Sequence, residues 1–248
     1  MKNTIFKIST IILFLFITSC DVSEKTLDNV SSSYIALNDS KVHYKEYGQG
    51  EKSLIFIHGW GCDLNTWKYQ FDYFKENYHL VLIDLPGYGQ SNKVKQSYNI
   101  DLFSRSVSAI IRHLEIKDPV LVAHSMGLPV AIEVLEQLNT ENAILCNIDG
   151  VYFDFPTDSI ENNKCKEGLT EFANMFNGEN YMQNVEQFYS GFITGTTPEY
   201  VKNYILSTMA ETPQKVGYQS MKSLIDQNIG TRKHSKIRRF RFMQKLMN

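Results

Sequence analysis

The run Ala123-His124-Ser125-Met126-Gly127 puts a hydroxyl between an apolar stretch, Val120 to Ala123, and a segment of helical periodicity, Leu128 to Leu138. A serine in such a strand-to-helix turn is lifted clear of the sheet. It also sits at the positive end of the following helix, where a developing alkoxide is favoured. The turn is tight, so its flanking positions must be small, and here they are Ala123 and Gly127. Pro129 falls in the first helical turn, where a missing N–H costs nothing. The chemistry this arrangement suits is acyl transfer. The hydroxyl attacks a carbonyl carbon, a base takes its proton, and amide N–H groups hold the oxyanion.

Two further motifs follow apolar runs. His58-Gly59-Trp60-Gly61 follows Ser53 to His58. Glycines there let main-chain N–H groups approach a reacting carbonyl, so Trp60 and Met126 are the candidate oxyanion donors. Asp84-Leu85-Pro86-Gly87-Tyr88-Gly89-Gln90-Ser91 follows Leu80 to Leu85. It has no Gly-Lys-Ser/Thr, so it is not a phosphate loop, and it reads as a structural rim of the site.

The elements that must position these groups alternate. Tyr34 to Tyr47 reads as a two-strand hairpin around Asn38-Asp39-Ser40. Strands are expected at Ser53 to His58, Leu80 to Leu85, Val120 to Ala123 and Ala143 to Ile148. Helices are expected at Asn65 to Asn77, Ile100 to Leu114 and Leu128 to Leu138. Such alternation predicts an α/β fold, a doubly wound and mostly parallel sheet covered on both faces. In that class the ligand site lies at the carboxyl ends of the strands, where all three motifs fall.

In combination and order the three motifs resemble the α/β-hydrolase superfamily, in its serine esterase and lipase branch, over residues of about 34 to 228. The serine run matches that family's nucleophile elbow, with Ala123 in place of the usual first glycine. The resemblance implies Ser125 as nucleophile, Trp60 and Met126 as oxyanion donors, a small-molecule ester or related acyl substrate, and no metal or cofactor. It also implies a hydrolase core over 34–152 and a helical lid over 153–228. The lid segment is rich in Phe, Tyr and Met, from Phe172 to Phe192. Serine at position 125 disfavours the relatives that attack with aspartate, such as epoxide hydrolases and dehalogenases.

The family pattern breaks after the lid. Two sheet strands, one ending in the triad acid and the next leading to the triad histidine, are expected there and are not found. Instead, seven of the 25 basic residues and none of the 27 acidic ones fall in the last twenty positions, so a +7 tail follows a −9 body. The reading favoured for 229–248 is a lost reading frame, over a functional basic tail or a shortened family member. Among the six histidines none is a ready base: His124 should point away from Ser125, His58 supports its own loop, His43, His79 and His113 read as surface or packing residues, and His234 lies in the tail. Asp149, after the last expected strand, is the candidate acid, with a turn aspartate before Gly150 as the competing reading.

The first twenty residues form a separate unit. Lys2 and Lys7 precede the apolar run Ile11 to Ile17, which ends at Thr18-Ser19-Cys20. That layout is an export signal over 1–19, and it is too short for a mature membrane span. Ile17-Thr18-Ser19-Cys20 resembles the lipobox of bacterial lipoproteins. The resemblance implies lipid on Cys20, a membrane-anchored envelope location and a polar tether over 20–33. The other cysteines, Cys62, Cys146 and Cys165, have no metal or disulfide spacing, though a Cys146–Cys165 bridge is open in an oxidising compartment. A net charge of −2 supplies no general attraction for nucleic acid. The expectation is therefore an envelope-anchored serine hydrolase impaired by loss of its histidine. The alternative is a non-catalytic envelope protein that keeps the pocket.

Overall fold

The computed structural model describes residues 27–37, 40–138, 140, 142–151, 159–226 and 239–240. The segment expected to be an export signal, Cys20, the start of the expected tether, His234 and most of the basic tail lie outside the described residues. Among the described residues the chain forms one sheet of seven strands: β1 (Ser32–Leu37), β2 (Ser40–Tyr47), β3 (Ser53–Ile57), β4 (His79–Ile83), β5 (Val120–His124), β6 (Ile144–Ile148) and β7 (Arg239–Phe240). Their spatial order is β1-β2-β4-β3-β5-β6-β7. β2 runs antiparallel to both β1 and β4, while β3 to β7 are mutually parallel where they pair.

Alternate residues of the central strands go to opposite faces, and both faces are covered. Ile55, Ile57, Val81, Ile83, Leu121 and Ala123 join a cluster with α2 (Ile100–His113) and α3 (Gly127–Leu138). Leu54, Phe56, Leu80, Leu82 and Val122 join a second cluster with Leu27, Trp67 and Phe71. Burial on both faces explains why β3 and β4 read as unbroken apolar runs rather than as alternating ones.

The chain from Asp63 differs in detail from the sequence expectation of one helix over Asn65 to Asn77. Asp63 caps a short 3-10 turn, Leu64–Trp67, by accepting from Asn65 N at 2.9 Å, and α1 (Lys68–Phe74) starts only after it. The cap satisfies orphan donors locally and turns Trp67 into the core, where it is 2% exposed.

The tail also differs. It reads as strand-free, yet Arg239–Phe240 pairs in parallel with Leu145 and Cys146, beyond β6. An edge strand otherwise leaves main-chain N–H and C=O groups unpaired, and even two residues satisfy part of that edge. The expectation of no further strand is corrected to that extent. Cys62, Cys146 and Cys165 are all unbridged, so the Cys146–Cys165 pairing is not made.

Among the described residues four helices follow β6: α4 (Ser159–Asn174), α5 (Tyr181–Ser190), α6 (Glu199–Glu211) and α7 (Gln214–Asp226). Among the described residues no helix is long and apolar enough to cross a membrane.

Candidate active site

β5 delivers the chain to Ser125 and α3 carries it away. Ser125 takes φ +50°, a left-handed conformation that a residue with a side chain adopts at a cost of roughly 1–3 kcal/mol. Neighbouring main chain holds it there. Ser125 N donates to Ile148 O at 3.3 Å, and Ser125 O accepts from Leu128 N at 3.0 Å and Val151 N at 3.1 Å. Two glycines make the geometry fit. A Cβ on Gly127 would lie 2.5 Å from Ile57 O, so the elbow packs directly on β3. A Cβ on Gly59 would lie 3.0 Å from Ser125 Cβ, which places the His58–Gly61 loop against the serine. Ala123 is fully buried in the sheet and fills the position of the family's first glycine without breaking the turn.

Ser125 is half-buried, and its hydroxyl has no hydrogen-bond partner among the described residues. The main-chain N–H groups of Trp60 and Met126 also have none among them, although both residues are buried, at 4% and 0% exposure. Main-chain N–H groups without a protein acceptor are free to bind a transient anion.

His58 is committed to support. Its Nδ1 donates to Gly59 O at 2.8 Å and its Nε2 accepts from Leu85 N at 3.0 Å, joining the two loops and fixing a neutral tautomer. Burial lowers its pKa below the ordinary imidazole value, against a smaller opposing pull from Asp84. His124 packs edge-on to Trp67, with ring centroids 6.3 Å apart. Its Nδ1 is buried without a partner, and burial lowers its pKa as well. His79 bonds Ser53 and Glu46 at the opposite end of the strands. None of the described histidines hydrogen-bonds Ser125.

Asp149 stands at the end of β6, one turn from the elbow, at φ +47° and exposed. It raises the pKa of His124 through space but makes no hydrogen bond to a histidine among the described residues. Ser125, the His58–Gly61 loop and the Asp149 carboxylate are therefore brought to one end of the sheet, with no base on the hydroxyl among the described residues.

The third motif is knit together by hydrogen bonds to Asp84. Asp84 is 2% exposed and its carboxylate accepts from Leu64 N and Gln90 N, each at 2.8 Å. It also pairs with His43 at 2.7 Å. His43 is fully buried, so of the surface and packing readings the packing one holds, with a hydrogen bond to Asp84 that the sequence did not show.

What holds Trp60 has no signal in the sequence. Its indole Nε1 donates to Gly217 O of α7 at 2.7 Å, and its carbonyl accepts from the Tyr189 hydroxyl of α5. Its ring stacks on Tyr189 at 12° and touches Phe176 at 4.9 Å between centroids. Tyr204 of α6 donates to Asp63 at 2.7 Å. These pairs are more than a hundred residues apart, and only the presence of aromatics in that segment could have hinted at them.

Residues 52–146 match the family model described as the alpha/beta hydrolase fold. Among solved structures, the chain is similar to an esterase from Exiguobacterium antarcticum, with a TM-score of 0.68 at 20% identity, covering 79% of this chain and 74% of that one. It is likewise similar to a bromoperoxidase from Bacillus anthracis, with a TM-score of 0.69 at 18% identity, over 80% and 75%. The chain has the α/β-hydrolase fold. Among curated relatives, epoxide hydrolase 1 of Caenorhabditis elegans is 34% identical over 127 residues, which is 49% of this chain and 31% of that protein. The chain thus spans about a third of the length of that relative. The α/β-hydrolase fold serves proteins named as esterases, epoxide hydrolases and peroxidases, so the fold alone does not select among their chemistries.

Proposed function

We propose that this chain is a serine hydrolase of the carboxylic-ester type. Ser125 is its nucleophile, and the Trp60 and Met126 amides are its oxyanion donors. The observation that carries the reading is Ser125 at φ +50° at the head of α3, its hydroxyl without a partner among the described residues. Strain at a single non-glycine residue, held by three main-chain hydrogen bonds, serves presentation of the side chain better than it serves stability. The segment α4–α7 acts as the lid, pressing Tyr189 and Gly217 onto the oxyanion loop. Small acyl esters are the substrate class, without metal, cofactor or nucleic acid. Lipid on Cys20 anchors the protein to the cell envelope.

Turnover is poor in this reading, because among the described residues no histidine sits on the Ser125 hydroxyl. Losing a triad base costs up to about a millionfold. A p-nitrophenyl butyrate assay tests it: the expected rate is far below ordinary enzyme rates. Ordinary rates that survive Ser125→Ala would overturn it. Anchoring is tested separately by metabolic labelling with alkynyl palmitate, with incorporation expected in the full chain and lost in Cys20→Ala.

The same unpartnered hydroxyl favours a second reading, a non-catalytic envelope protein that keeps the pocket. A well-folded sample whose Ser125 resists a fluorophosphonate would establish it.

A further inference from the structure

A serine–histidine–carboxylate chain does exist among the described residues, and it is not at Ser125. Ser32 Oγ of β1 lies 2.9 Å from His43 Nε2 of β2, and His43 Nδ1 lies 2.7 Å from Asp84 Oδ2, just past β4. In the sheet order, β1 and β5 are four strand spacings apart, about 19 Å. This group is therefore separate from the elbow.

Its parts differ in exposure as a nucleophile, a base and an orienting acid should. Ser32 is exposed, His43 is 0% exposed and Asp84 is 2% exposed. Asp84 is held in place by Leu64 N on Oδ1 and Gln90 N on Oδ2, and Oδ2 also accepts from His43 Nδ1. With Nδ1–H bound to the acid, the lone pair of Nε2 points at the Ser32 hydroxyl. His43 N is fixed in turn by Ser91 Oγ at 2.8 Å. The rim is formed by Tyr34, whose ring lies 5.0 Å from that of His43, and by Lys41, with its ammonium 4.3 Å above the Tyr34 ring.

The protein carries its own comparison. Ser53, His79 and Glu46 are also linked, by 2.9 and 2.8 Å contacts. There the ring is reversed, with Nδ1 on the serine, and Glu46 is 40% exposed. A solvated carboxylate on a mobile side chain neither fixes the ring nor keeps water off the pair.

We propose that Ser32, with His43 as its base and Asp84 as its orienting acid, is a second nucleophilic site that takes an acyl or phosphonyl group from small activated esters. In the step, a bond forms between Ser32 Oγ and the carbonyl carbon while the Oγ proton passes to His43 Nε2. The bond to the leaving oxygen then breaks, and that oxygen takes the proton from Nε2; with a fluorophosphonate the new bond is to phosphorus, the P–F bond breaks, and fluoride leaves with that proton as HF. The products are an O-acyl Ser32 and an alcohol or phenol, with no oxidant or reductant. The edge strand β1 leaves the site open to solvent.

The experiment uses the full chain carrying Ser125→Ala, treated with p-nitrophenyl acetate and, separately, a fluorophosphonate. Peptide fragmentation then resolves Ser31, Ser32, Ser33 and Ser53. The expected result is modification of Ser32 about a hundredfold faster than of the other three serines, abolished in urea. His43→Gln should remove the preference, and because that residue is buried, the comparison among serines within one folded chain stands without it. Equal modification of Ser31, Ser32 and Ser33, or none at Ser32 in a folded sample, overturns the proposal. Reaction at Ser125 in the unsubstituted chain is read from a different peptide, so either site can fail alone.

Discussion

Tyr189 of α5 donates its hydroxyl to the main-chain carbonyl of Trp60, 129 residues earlier. The bond ties the helical segment after β6 to the loop that supplies a proposed oxyanion donor. Burial raises the Tyr189 pKa well above the phenol value, so the hydroxyl stays a donor throughout the physiological range. Tyr189→Phe leaves a buried carbonyl unpaired and is expected to cost about 1–3 kcal/mol in urea unfolding. The reaction of Ser125 with a fluorophosphonate should slow as well, because the Trp60 peptide loses its anchor. An unchanged unfolding midpoint would show that the contact contributes nothing.

The elbow makes a prediction opposite in sign to that of most active-site substitutions. Ser125→Gly relieves the left-handed strain of a non-glycine residue, and the chain should become more stable by about 1 kcal/mol while losing its reactive hydroxyl. Differential scanning calorimetry reads this directly. A fall in melting temperature would mean that the turn is not strained.

Gly127 tests the same turn from the other side. The added methyl of Gly127→Ala meets Ile57 O at 2.5 Å, and a strand carbonyl cannot swing away as a side chain can. A loss of about 1–3 kcal/mol is expected from that overpacking, read as a lower urea midpoint with an unchanged slope.

Much of this was legible in the sequence and some was not. Val120 to Gly127 and Ser53 to Gly61 are local patterns, in which apolar runs and small residues state both the strand and its exit. The sheet and its reactive end follow from them. The His43–Asp84 pair spans 41 residues and the Trp60–Tyr189 bond 129. Such partners are chosen by packing after the strands align, and no periodicity carries them. His43 therefore read as an ordinary hairpin residue, although β2 crosses beside β4 and turns it onto Asp84. Arg239–Phe240 was missed because two residues are too short to form an apolar run.

Stability should depend on pH in two directions. Burial lowers the pKa of His58 and of His124 in the folded chain. Below the unfolded value of about 6.5, unfolded histidines take up protons that the folded ones refuse. That part of the stability is complete above about pH 6.5 and is lost as pH falls from there. Burial pushes the Cys62 thiol up to about 11 from 9.0, so on the alkaline side stability is present below 9 and lost as pH rises from 9 to about 11. Urea midpoints across pH 5 to 10 should form a plateau with both shoulders. His124→Gln should flatten the acid shoulder, and an acid shoulder unchanged in that variant would remove His124 from the account.

The claim on which the rest depends is that Ser125 is presented as a nucleophile by a strained turn. Mass-spectrometric mapping of fluorophosphonate adducts on the purified, folded chain tests it most directly. The account predicts a slow adduct on Ser125 that forms in buffer and is absent from a sample unfolded in urea. A sample whose circular dichroism and cooperative melting verify the fold, yet whose Ser125 stays unmodified after prolonged exposure, would contradict it.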